Sequence, residues 1–73
     1  MKYIIIKNEY INRDMSRISF GIAAIEEYDG ITTVLKSFPD ISPNFSNVES
    51  LANLCNAHKL DLIHFNDIID DFM

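Results

Sequence analysis

Cysteine, glycine, proline and long apolar runs are all scarce in this sequence. The scarcity of cysteine and the absence of a long apolar run each exclude a class of protein. The 73 residues include one cysteine, two glycines, two prolines and no tryptophan. A single thiol, Cys55, cannot form an internal disulfide, which excludes a disulfide-stabilised secreted fold. No apolar run approaches the roughly 20 residues of a transmembrane helix, and residues 1–6 are too short for the apolar core of a signal peptide. We therefore expect a cytoplasmic protein.

Basic residues are also few, with six lysines and arginines against eleven acids and a net charge of −5. Residues 1–37 carry five charges of each sign, whereas residues 38–73 carry six acids and only Lys59. Direct binding of nucleic acid or of an anionic membrane requires a cationic face, and the sequence shows none. A partner protein with a basic surface would be attracted.

The length predicts one small domain with little room for a core. A chain of this size buries only about 60% of its unfolded surface, so it is marginal unless a disulfide, a metal or oligomerisation adds stability. Because a disulfide is impossible, a metal and self-association are the alternatives that remain open. No motif for a cofactor is present, and none is expected.

The first half of the chain has the pattern of three strands. The predicted strands are residues 2–10, 18–27 and 31–38, and Asp29-Gly30 predicts a tight hairpin turn between the last two. Ile4-Ile5-Ile6 is apolar on both faces, which favours a central or covered strand over an exposed edge. If residues 3–6 instead form an exposed edge, they become a site of association with a second copy.

Two further features of the strand region carry predictions. Gly21 indicates a bulge or a close approach by a helix in the middle of the second strand. Proline cannot continue a ladder of hydrogen bonds, so Pro39 is expected to end the third strand, and residues 39–43 are expected to form a linker.

The second half has the periodicity of two amphipathic helices. Ser46 and Glu49 form a capping-box pattern at the start of the first helix, and Asp61 is an N-cap for the second. The apolar stripe of each helix follows three- and four-residue spacing; the stripes are Val48, Leu51, Leu54, Cys55 and His58, then Leu62, Phe65, Ile68, Ile69 and Phe72. The fold prediction is α+β, with a three-stranded antiparallel meander over residues 1–38 and a helical pair over residues 46–73 packed on one face.

Several short motifs in the second half are shared with a known family. They are Asp40-Ile41-Ser42-Pro43, Val48-Glu49 with Leu51, Leu54-Cys55-Asn56, and Ile63-His64 with Asp67-Ile68 and Phe72. Over residues 22–73 the chain resembles a family of small uncharacterised bacterial proteins that end in a proline-isoleucine-histidine segment and an aspartate-rich amphipathic helix. Here Leu62 replaces the proline, and Phe65-Asn66 replaces a leucine-arginine pair. The resemblance supports the helices and implies no function, and such a chain could equally be carried by a phage.

The acidic side of the second helix is the sharpest feature of the predicted surface. Its polar residues are Asp61, Asn66, Asp67, Asp70 and Asp71. A solvated helix face is the simplest explanation of such a cluster. However, Asp70 and Asp71 lie near the helix C-terminus, where negative charge is unfavourable, and a site that opposes a local preference is a hint of function. We therefore predict a non-catalytic interaction module, an inhibitor or adaptor that binds a basic surface.

A metal site and a catalytic pair are the minor alternatives. Cys55, His58 and His64 could provide zinc ligands if the helices bring them together, but their spacing matches no established zinc pattern. His64 with Asp61 or Asp67 could form an acid–base pair, and Cys55 with a histidine could act as a nucleophile. No oxyanion loop or glycine-rich turn accompanies these residues, so an enzyme is not expected.

Overall fold

The computed structural model describes residues 1–72 and confirms the α+β fold. A three-stranded antiparallel sheet in the order β1-β2-β3 is followed by two helices. The elements are β1 (Lys2–Ile11), β2 (Ser16–Tyr28), β3 (Ile31–Ser42), α1 (Phe45–Ala57) and α2 (Leu62–Phe72).

The hairpins that join the strands follow from short local signals. Asp29 and Gly30 both have positive φ angles, 53° and 78°, which is the type I′ arrangement that matches the twist of two antiparallel strands. The predicted turn is therefore confirmed. The other hairpin closes where Asn12 and Met15 exchange backbone hydrogen bonds of 2.7 and 3.3 Å.

The position of β1 differs from the favoured prediction. Within residues 1–72, β1 pairs only with β2, so it is an edge strand and not a central one. Tyr3 is buried and Ile5 packs partly against the core, whereas Ile4 lies on the opposite face and is exposed. One face of the isoleucine run therefore contacts the core, whereas the other face carries the exposed Ile4.

The third strand does not end at Pro39. β3 continues to Ser42, so the sheet extends four residues beyond the predicted boundary at residue 38 and the predicted linker is largely strand. The register between β2 and β3 shifts between the pairs Ile22–Phe38 and Phe20–Ser42, and Pro39 lies within that irregularity. A proline is tolerated there because a bulge on an edge strand leaves its nitrogen without a ladder partner.

Gly21 explains how the bulge fits. A Cβ atom at this position would lie 2.7 Å from the Cα of Pro39 and would overlap the carbonyl oxygen of Phe38. The backbone of β3 therefore occupies the space that a side chain at position 21 would need. The predicted bulge is present, but the close approach is made by a strand and not by a helix.

The start of α1 also differs in detail from the prediction. The helix begins at Phe45, and its N-cap is Asn44, whose side chain accepts from the N–H of Asn47 at 3.4 Å. Ser46 is inside the helix, so the predicted capping box is wrong, because the asparagine two residues earlier supplies the oxygen instead.

The helix α1 ends in a Schellman motif. The N–H of Leu60 donates to the carbonyl of Cys55 at 3.2 Å, and that of Lys59 donates to Asn56 at 3.2 Å. Lys59 has a φ of 47°, the left-handed conformation that glycine normally occupies at this position.

Both helices pack on one face of the sheet, as predicted. Alternation along β2 places Ile22 and Ala24 on the same face, and both are fully buried beneath the helices. The helical side of this core consists of Val48, Ala52 and Cys55 from α1 and Phe65 and Ile69 from α2.

Candidate functional site

The helix α2 is fixed in rotation by its apolar side. Phe65 is completely buried, with its ring centroid 4.7 Å from that of Tyr3 and 5.3 Å from that of Phe38. Ile69 is also fully buried, one turn further along. Because these two anchors hold one side of the helix against the sheet, the opposite side must face solvent.

Asp61 begins α2 and confirms the predicted N-cap. Its Oδ1 accepts the N–H of His64 at 2.9 Å, and Nδ1 of His64 lies 2.9 Å from the same oxygen. The bond from the His64 N–H lowers the pKa of the Asp61 carboxyl below its usual 3.8. Because both side chains are exposed, the ion pair between them contributes little to stability, and the main role of Asp61 is to cap the helix.

The exposed side of α2 carries the acids predicted from the sequence. Asp67, Asp70 and Asp71 are exposed, and within residues 1–72 none of these carboxylates forms a salt bridge. Asn66 is half-buried, and its amide donates to Asp70 at 3.3 Å. We call the surface formed by Ile63, Asn66, Asp67, Asp70 and Asp71 the acidic face.

A shallow cleft lies beside the acidic face. It has a volume of about 280 Å³ and lies between β3 and α2. Its lining residues are Lys36, Leu62, Ile63, Asn66 and Asp67. The Nζ of Lys36 lies 5.5 Å from the ring centroid of Phe38. The cleft therefore presents two apolar side chains together with one amide, one base and one acid.

The sequence-based prediction omitted two residues of this surface, Ile63 and Lys36. Ile63 is 75% exposed, and it lies one helical turn before Asp67. An isoleucine outside the apolar stripe was a readable signal that this side of the helix is not purely polar. The proximity of Lys36 depends on the packing of α2 against β3, which no local pattern encodes.

The candidate metal ligands are not brought together. Cys55 is fully buried, and burial raises the pKa of its thiol. His58 is the C-cap of α1 and is exposed, and His64 is engaged with Asp61. In the part of the chain that the structure describes, no group of three or more His, Cys, Asp or Glu side chains has a metal-binding arrangement.

A second polar cluster lies on the sheet face away from the helices. Ser19 is fully buried, and its hydroxyl donates to the carboxylate of Asp40. Arg17 approaches the same carboxylate at 3.8 Å, and the amide of Asn8 donates to the carbonyl of Pro39. These bonds hold the bulged end of β3 against β2 at Gly21. Stabilisation of the sheet therefore explains the cluster, and we do not assign it a functional role.

Neither helix among residues 1–72 is long and apolar enough to cross a membrane.

Comparison with known protein families gives a match. The model of a family of unknown function, DUF6514, matches residues 1–73. The match extends over the whole chain, beyond the residues 22–73 that carried the resemblance in the sequence. No curated protein and no solved structure matches the chain.

Proposed function

Because the chain belongs to DUF6514, a family of unknown function, its activity has to be inferred from its own surface, and we propose that it is a non-catalytic interaction module. It binds the basic surface of a partner protein through the acidic face of α2. The specific form that we propose is a cytoplasmic inhibitor or adaptor in a bacterium or phage, acting on a nucleic-acid-binding effector in the manner of an anti-CRISPR protein. The step to that class of partner is an analogy with other small acidic inhibitors.

One observation supports the proposal most strongly. Within residues 1–72, three carboxylates project from one anchored helix without forming a salt bridge, beside an isoleucine that is 75% exposed. Phe65 and Ile69 are buried and hold the helix in one orientation, so the three carboxylates have fixed positions on the surface. The exposed Ile63 next to the acids provides apolar surface that a partner can bury. This matters because surface charge by itself contributes little to affinity.

The charge arrangement predicts how binding should behave. Long-range attraction between the acidic face and a basic partner would speed association, and salt would screen it over about 8 to 10 Å. Lys36 at the rim of the cleft opposes a basic partner, so its removal should strengthen binding. Asp61 stays among the proposed contact residues with Asn66, Asp67, Asp70 and Asp71, although its cap bond to His64 limits its freedom.

The proposal is tested by affinity capture with three baits. The first is the wild type, and the second is the neutral-face variant Asp67→Asn/Asp70→Asn/Asp71→Asn. The third is a matched control, Asp14→Asn/Glu26→Gln/Asp29→Asn, which removes the same charge from exposed positions in the first half of the chain.

We expect a basic protein that binds the wild type and the control, is lost from the neutral-face variant, and dissociates in high salt. The interaction should then be reproduced with the purified partner. Equal capture by all three baits, or equal loss from both variants, would show that the acidic face only keeps the chain soluble.

A further inference from the structure

The two edges of the sheet are protected to very different degrees. β3 carries Pro39 and two register shifts, which are devices that prevent an edge from pairing with another strand. β1 pairs with β2 over ten consecutive residues without a shift and contains no proline. Its outer edge is therefore regular enough to accept a further strand.

Part of the β1 edge is already occupied. The N–H of Tyr3 donates to Oδ1 of Asn56, and the carbonyl of Tyr3 accepts from Nδ2 of Asn56, both at 2.8 Å. The backbone groups of Tyr3 thus point away from β2. Successive residues of a strand point their backbone groups to opposite sides, so the odd-numbered residues of β1 face outward. In the part of the chain that the structure describes, the edge is unoccupied at Ile5, Lys7, Glu9 and Ile11.

We propose that this edge pairs with the same edge of a second copy, antiparallel about a two-fold axis at Asn8. Within one chain the Nζ of Lys7 lies 3.1 Å from Oε1 of Glu9. In this register Lys7 of each copy also lies opposite Glu9 of the other, so the four side chains form a group of alternating charge with two oppositely charged pairs across the interface. Ile5 lies opposite Ile11, a side chain that is 83% exposed in the single chain. On the other face Ile6 lies opposite Tyr10. The result is a continuous six-stranded sheet.

The charges select this register against its neighbours. An axis at Lys7 would place the two copies of Lys7 opposite each other, and an axis at Glu9 would do the same with the two glutamates. Like charges directly opposite are destabilising in a sheet, whereas opposite charges are favourable. An axis between two residues would place the outward-facing backbone groups of odd-numbered residues opposite even-numbered residues, whose backbone groups point towards β2. No hydrogen bonds could form between the copies in that register. The axis at Asn8 also stops the pairing before Tyr3, where Asn56 already occupies the edge.

The dimer is independent of the proposed partner site. The β1 edge and the acidic face of α2 share no residue, and neutralising Asp67, Asp70 and Asp71 should leave self-association unchanged. A dimer would present two acidic faces at once, which would raise the effective affinity for a partner that carries two basic sites.

Sedimentation equilibrium of the whole chain, from micromolar to millimolar concentration, tests the proposal through a charge-swap series. We expect the wild type to dimerise, and Lys7→Glu and Glu9→Lys each to weaken the dimer by about tenfold, since each creates two like-charged pairs. The double variant Lys7→Glu/Glu9→Lys should recover the wild-type dissociation constant. A monomer throughout the range, or a double variant no tighter than the singles, would overturn the proposal.

A cross-link tests the position of the axis. Residues opposite each other at a non-hydrogen-bonded position lie about 4.5 Å apart between Cα atoms, close enough for a disulfide. Asn8→Cys should therefore form a disulfide with its own copy under mild oxidation, whereas Glu9→Cys, which faces Lys7 and not itself, should not. The wild type, whose thiol is buried, is the control. Cross-linking of Glu9→Cys but not of Asn8→Cys would contradict the register.

Discussion

The side-chain amide of Asn56 pairs with the backbone of Tyr3 through two hydrogen bonds of 2.8 Å, one donated and one accepted. The side chain of Asn56 thus forms the two hydrogen bonds that a neighbouring strand would form with Tyr3 at this edge of β1. The Tyr3 hydroxyl donates in turn to the carbonyl of Leu60, which follows α1. These contacts join the first strand to the helices across more than fifty residues of sequence, and they determine where the open edge begins.

Replacing Asn56 with alanine should lower the free energy of unfolding by about 1 to 3 kcal/mol, because the Tyr3 N–H and carbonyl lose their partners in a partly buried place. The measurement is urea denaturation. The matched control is Asn53→Ala on the exposed side of the same helix, which should change the free energy of unfolding by less than about 0.5 kcal/mol. Equal effects of the two substitutions would show that the edge contact does not stabilise the fold.

Gly21→Ala should be among the most damaging substitutions in the chain. The added methyl group would overlap the backbone of Phe38 and Pro39, which cannot rotate away as a flexible side chain could. We expect a loss of about 3 kcal/mol or more, a large part of the stability of a domain this small. Thermal unfolding followed by circular dichroism provides the measurement.

Gly30→Ala is the natural comparison for Gly21→Ala. No atom of the described residues 1–72 lies within 4 Å of a Cβ placed at Gly30, so the positive φ is the source of strain, at a cost of about 1 kcal/mol. If Gly21→Ala were the milder of the two substitutions, the close approach of β3 to β2 would be wrong.

Lys59→Gly should stabilise the chain. Lys59 adopts a φ of 47° at the end of α1, where a residue with a Cβ is strained and glycine is not. We expect a gain of about 0.5 to 1 kcal/mol, after allowing for the greater freedom of glycine in the unfolded chain. Ala57→Gly, within the last turn of the helix, should have the opposite sign. A loss of stability from Lys59→Gly would indicate that the lysine side chain makes contacts that outweigh the strain.

The cap at Asp61 should make stability depend on acidity. Its pKa is lowered in the folded chain, so its contribution is present above the ordinary value of 3.8 and is lost as the pH falls through the lower folded value. Asp61→Asn keeps an oxygen for the cap but carries no charge. The melting temperature of the wild type should therefore exceed that of Asp61→Asn at neutral pH, and the difference should shrink towards pH 3. A constant difference would show that the charge of Asp61 does not stabilise the helix.

Local patterns predicted most of the fold and only part of the candidate site. The turn at Asp29-Gly30 and the cap at Asp61 were predictable because each depends on a few adjacent residues. The end of β3 was not, because the space that admits Pro39 is provided by Gly21, far away in the sequence. The edge position of β1 also depends on contacts that are distant in the sequence. Three apolar residues in a row do not reveal whether a strand has a neighbour on one side or on both.

An NMR titration would show whether a partner protein contacts the acidic face of α2. The ¹⁵N-labelled chain would be titrated with the purified basic partner obtained by affinity capture. We expect the shifted amide signals to come from Ile63, Asn66, Asp67, Asp70 and Asp71, and we expect high salt to reverse the shifts. Shifts confined to β1 and β2, with the signals of α2 unchanged, would contradict this expectation.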